Sequence, residues 1–164
     1  MTPKSSRPRA KLRTRAIAAS CAVLVAAPVV ATAAEPVRTE FLNSGKVLTG
    51  ELPFSEAVRH GDTLYLSGQI GIVPGTLKLV PGGMRAEAEQ TLENIRTVLA
   101  AHGRTTADIV KCTVMLADMA DWPAFNEVWR AFLKKPYPAR SALGAAGLAL
   151  GARVEVECIA TAGS

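Results

Sequence analysis

The hydrophobic period of this chain switches repeatedly between two residues and about 3.6, and that alternation restricts the fold more than any single motif. Thr63–Gly68 alternates, with Leu64 and Leu66 on one side and Thr63, Tyr65 and Ser67 on the other. Met84–His102 then sets Ala88, Leu92, Ile95 and Leu99 at i, i+4, i+7 and i+11, with Val98 widening the stripe, as an amphipathic helix requires. Gly103 ends it, and Thr105-Thr106-Ala107-Asp108 can cap one more short turn. Ile109–Leu116 returns to period two, with Cys112, Val114 and Leu116 opposed to Lys111, Thr113 and Met115. Asp121 is placed to cap a second helix, with Pro123 in its first turn. That helix runs to about Leu133, and core packing is the reading for its stripe of Trp122, Phe125, Trp129 and Phe132. Arg153–Ala160 is a strand with Val154, Val156 and Cys158 on one face and Arg153, Glu155 and Glu157 on the other.

The remaining segments complete the order. Ser55–Arg59 reads as a strand joined to Thr63–Gly68 by the turn His60-Gly61-Asp62. Pro74–Gly83 is a loop, Ser141–Ala146 a weak strand and Gly147–Ala152 a turn. The expected order is β-β-α-β-α-β-β, an α+β domain with both helices on one face of the sheet. The uncovered face then carries Ser67, Lys111, Thr113, Glu155 and Glu157, and meets either solvent or another subunit.

The first fifth of the chain reads as an address. Met1–Arg15 is polar and basic, Ala16–Val30 is apolar, and Ala31-Thr32-Ala33 supplies small residues, the three-part layout of a secretory signal peptide. Cleavage is expected after Ala33 or one residue later, leaving an arm over 34–50 and a domain over 51–164, periplasmic or secreted. An uncleaved anchor over Ala16–Ala34 is the alternative, weakened by Ser20, Pro28 and Thr32. Of 19 basic residues, six precede Ala16; the chain from Ala34 holds 13 against 14 acidic ones. The basic pI therefore belongs to the leader and implies no nucleic-acid partner, and no stable membrane association is expected after cleavage.

No phosphate-binding glycine motif, nucleophile elbow or C-x-x-C is present, and His60 and His102 lack ligand spacing, so neither a cofactor nor a metal is expected. Cys112 and Cys158 sit in hydrophobic strand patterns and are expected as buried thiols rather than a disulfide. The remaining chemistry lies in Tyr137-Pro138-Ala139-Arg140-Ser141 and Val154-Glu155-Val156-Glu157. A guanidinium at a strand start can clamp a carboxylate, and a Glu on the next strand can hold a water or take a proton. The same pair also reads as a structural cross-strand ion pair.

Pro53-Phe54-Ser55-Glu56-Ala57-Val58, Ser67-Gly68-Gln69-Ile70, Glu93-Asn94-Ile95, Asp121 to Asn126, Pro138-Ala139-Arg140-Ser141 and Val154–Ala160 follow one another in a familiar order. Over about Glu51–Ala160 the chain resembles the Rid (YjgF) family of reactive enamine/imine deaminases. The resemblance implies a chorismate-mutase-like α+β domain, a homotrimer with clefts between subunits, and hydrolysis of 2-aminoacrylate-type enamines or imines to 2-keto acids and ammonia. It implies that Arg140 pairs with the substrate carboxylate and Glu155 positions the attacking water. Ser67 and Gly68 would line the pocket, Asn126 would stand at the cleft, and Phe54 and Ser141 would complete the substrate-binding set. Phe54 replaces a frequent Tyr, and Glu56 a common Gln. The alternatives are a non-catalytic module that binds small carboxylates or protects a partner protein, and hydrolysis of a different enamine-like metabolite.

Overall fold

Residues 36–163 are described by a computed structural model. The expected leader and its cleavage site lie outside those residues. Seven strands form one mixed sheet, and two helices pack on one side of it. The strands are β1 (Thr39–Leu42), β2 (Ala57–His60), β3 (Thr63–Leu66), β4 (Gln69–Ile70), β5 (Ile109–Leu116), β6 (Ala139–Gly144) and β7 (Val154–Thr161). The helices are α1 (Gly83–Ala101) and α2 (Trp122–Phe132). The strand order is β1-β2-β3-β7-β5-β6, with β4 also beside β7. β5 and β6 are parallel, joined by α2, and the other pairs are antiparallel. The α+β expectation of a mixed sheet with two helices is borne out.

The periodicities locate the core. Leu64, Leu66, Cys112, Val114, Leu116, Val154, Val156 and Cys158 are all buried, as are Ala88, Leu92, Ile95, Val98 and Leu99 from α1. Phe125, Val128 and Trp129 bring α2 onto the same layer, while Trp122 and Phe132 remain only partly buried. Gly61, at φ 55°, occupies the tight turn between β2 and β3, where a positive φ favours glycine.

The structure departs from the expectations at several points. The segment read as an arm contains β1, paired with β2, because Thr39–Leu42 can satisfy its backbone along that edge. The two-residue β4 was too short to give a period. Asp121 stands at the α2 N-cap but makes no capping bond, because its carboxylate accepts from Arg153 Nε at 3.1 Å and Nη2 at 2.7 Å. The cap forms one turn earlier, where Asp118 accepts from the Ala120 amide at 2.9 Å.

Cys112 and Cys158 form a disulfide, contrary to the expectation of free thiols. They are directly opposed in the antiparallel β5/β7 register, on the face that α1 and α2 cover, with Cα atoms 4.1 Å apart. That pairing could not be read from a separation of 46 residues. Closing such a loop restricts the unfolded chain by about 4 kcal/mol. A Cys112→Ala/Cys158→Ala variant is therefore expected to melt about 10 °C lower by calorimetry, and an unchanged melting temperature would contradict this role.

Candidate active site

Arg140 enters the structure on β6, the edge strand, where its register partner is Cys112. Side chains alternate along a strand, so Arg140 points to the helix-covered face, beneath α2. Trp122, Phe125, Asn126 and Trp129 stand at i, i+3, i+4 and i+7 on that helix and face it. The guanidinium carbon is 4.5 Å from the Trp122 ring centre, 4.8 Å from that of Trp129 and 5.8 Å from that of Phe125. Nη2 donates to Asn126 Oδ1 at 2.7 Å, whereas Nη1 is buried without a partner. Burial, followed by neighbouring Arg130, lowers the Arg140 pKa from its ordinary value. No acidic side chain among the described residues pairs with it. A half-buried guanidinium with an unpartnered donor can pair with an anion, and its planar fork suits a carboxylate.

Glu155 lies elsewhere. It faces Met115 of β5 and Ile70 of β4 across β7, on the face opposite to Arg140. The structure brings it together with Phe54 and Gly68 in a cavity of about 290 Å³, whose other walls include Leu52, Leu77 and Leu150. Burial, and secondarily Glu157, raises the Glu155 carboxyl pKa above the ordinary glutamate value. A side chain on Gly68 would overlap Glu155 Oε1, its Cβ standing 2.9 Å from Cδ, so only glycine leaves room for the carboxylate there. Leu150, at φ 57°, stands in the left-handed region on the cavity rim, a costly conformation for a bulky residue.

The other two expected site residues are Ser67 and Ser141. The Ser67 hydroxyl donates to the Ser55 carbonyl at 2.7 Å, which fixes the segment after Phe54 and leaves its oxygen free to accept. Ser141 is exposed on the open face opposite Thr113, away from its neighbour Arg140. The larger groove of about 540 Å³ between α1 and α2, bordered by Arg85, Glu93 and Phe132, contains none of the candidate residues.

The cross-strand ion pair is excluded, because β5 lies between β6 and β7 and the two side chains leave opposite faces. One chain therefore cannot place both on one small ligand.

The supports around Glu155 escaped the sequence reading. Asn94 donates to the carbonyls of Ile70 and Ile72 at 2.9 and 3.0 Å, and Glu87 accepts the Arg153 amide at 2.8 Å. Both are buried polar residues on α1, and they fix the backbone on either side of the carboxylate. Their signal was a row of polar residues, Glu87, Thr91 and Asn94, at helical spacing beside the apolar stripe. Buried Glu56 accepts from the Ser44 hydroxyl at 2.9 Å and lies 3.1 Å from His102 Nε2, which anchors the segment carrying Phe54.

Residues 46–162 match the family described as Endoribonuclease L-PSP, the YjgF/Rid family. The chain belongs to the Rid family. This Rid protein is 45% identical over 111 residues to the 2-iminobutanoate/2-iminopropanoate deaminase of Capra hircus, a match covering 68% of this chain and 81% of that one. Its fold is similar to the crystal structure of RidA from an Antarctic Psychrobacter, with TM-score 0.70 and 40% identity over 74% of this chain and 98% of the other. It is similar also to Escherichia coli TdcF with bound serine, with TM-score 0.69 and 30% identity over 74% and 98% of the two chains.

Proposed function

We propose that this Rid protein hydrolyses reactive 2-imino and 2-enamino acids to 2-keto acids and ammonia, in clefts between the subunits of a homotrimer. The carrying observation is Arg140, half-buried against aromatic rings with an unpartnered Nη1 and no acidic partner among the described residues. The substrate carboxylate pairs with that guanidinium and fixes the imine carbon, which is already electrophilic. Glu155 accepts a proton from water as the C–O bond forms, and the nitrogen takes up a proton. Glu155 then returns its proton to the carbinolamine nitrogen, the C–N bond breaks to release ammonia, and the hydroxyl gives up its proton to water as the keto C=O forms. The name and identity of the goat deaminase support this reading.

Because Arg140 and Glu155 leave opposite faces, the reaction needs Arg140 of one subunit beside Glu155 of the next. A head-to-tail ring repeats that contact at every interface. The exposed Tyr65 and Leu143 make the open sheet face suitable for burial against a second copy. We place the mature protein outside the cytoplasm, a reading supported by the Cys112–Cys158 disulfide, which persists in oxidising compartments. No helix among the described residues is long and apolar enough to cross a membrane.

The test generates 2-iminobutanoate in situ and follows its loss against pH. Glu155 acts ionised, so kcat/KM falls as pH drops through its raised pKa, placing the acid limb above the ordinary glutamate range. Glu155→Gln is expected to lose turnover. It should also be at least as stable as the parent at neutral pH. A raised folded-state pKa favours the protonated form, so the stability it confers is present at low pH and lost as pH rises through that pKa. A fully active Glu155→Gln variant would contradict the assignment. A parent that binds 2-oxobutanoate but never accelerates imine loss would indicate a binding module.

A further inference from the structure

Trp122 and Trp129 are the chain's two tryptophans, and both rings lie within 5 Å of the Arg140 guanidinium carbon, at 4.5 and 4.8 Å. Core filling explains Trp129, which is 4% exposed, and Phe125, which is fully buried. Trp122 packs against the same core and stacks on Phe125, but it is only partly buried and yet makes the closest approach to the cation. The Asn126 acceptor stands on the same helical face, so α2 alone supplies every described contact that orients the guanidinium.

We infer that Trp122 and Trp129 are positioning residues for carboxylate recognition, holding the Arg140 fork against α2 so that Nη1 stays aimed at the ligand. This rests on the reading of Arg140 as the carboxylate site. An arginine side chain left free would lose its rotamer freedom on each binding event. A ring face attracts the cation, more strongly where water is excluded, without competing for the N–H groups that a carboxylate needs. Asn126 engages Nη2, which leaves Nη1 as the donor without a protein partner. The same geometry makes the indole emission a reporter of that site.

The experiment titrates the full chain with 2-oxobutanoate, reads tryptophan emission and calorimetric Kd, and measures 2-iminobutanoate kinetics in parallel. Trp122→Leu and Trp122→Phe are compared with the parent, each checked for folding by circular dichroism. The expected result is a saturable emission change in the parent and about a tenfold rise in both Kd and KM in Trp122→Leu. The kcat stays within about twofold, and Trp122→Phe recovers most of the loss, since a ring face is restored. A folded Trp122→Leu with parental Kd and KM overturns the inference, and so does a parent that does not bind 2-oxobutanoate. A tenfold weaker Kd in a chain without imine turnover supports the positioning role while overturning the hydrolytic reading. Turnover with an unmoved KM overturns the positioning role alone.

Discussion

Arg140→Ala is expected to lower kcat/KM for a 2-imino acid by between tens-fold and thousands-fold, corresponding to about 2–5 kcal/mol of lost carboxylate recognition. The size follows from the surroundings of the guanidinium. Its desolvation is already borne in the folded chain, its Nη1 has no partner, and no acidic side chain among the described residues neutralises it. A carboxylate arriving there replaces no existing ion pair. The fold is expected to survive, because the substitution removes a half-buried charge rather than a salt bridge. Arg140→Lys should fall between the two, keeping the charge but losing the planar fork and its fit to the rings of Trp122 and Trp129. Steady-state kinetics with melting curves check both variants, and a parental kcat/KM in a folded Arg140→Ala would remove Arg140 from the site.

The second large effect is expected at a glycine. Gly68→Ala places a methyl group in the space occupied by Glu155 Oε1, with the new Cβ 2.9 Å from Cδ. The obstacle is the far end of a flexible side chain, so the carboxylate moves aside and the fold is largely retained. A displacement of about 1 Å in a group that must orient water costs on the order of a hundredfold in kcat. Gly68→Ala is therefore expected to separate activity from stability, with kcat down about a hundredfold and the melting temperature shifted by only a few degrees. A variant that keeps its kcat would show that the position of Glu155 is not critical.

The sequence exposed those features that depend on local period. The α1 stripe, the alternation of β5 and β7 and the turn at Gly61 all reappear in the structure because each is set by residues a few positions apart. What depended on strand order stayed hidden. Arg140 and Glu155 looked like neighbours because β6 and β7 are consecutive in the chain, yet β5 lies between them. The disulfide required the Cys112–Cys158 register, which forms only when β7 pairs antiparallel with β5. Asp121 had the chemistry of a helix cap, but the Arg153 guanidinium, from the bend just before β7, claimed its carboxylate. The aromatic stripe was correctly read as inward-facing, while the cation it contacts arrives from β6 and left no trace in the helix itself.

The proposed active site is shared between chains, and mixing subunits tests it most directly. Arg140→Ala and Glu155→Gln would each be purified, then unfolded and refolded together in equal amounts, with the mass of the product confirmed by light scattering. If Arg140 of one subunit serves Glu155 of the next, half the interfaces receive an intact Arg and half of those an intact Glu. About a quarter of parental imine-hydrolysing activity should then return. Activity no higher than that of either variant alone, in a mixture shown to have exchanged subunits, would contradict the shared site.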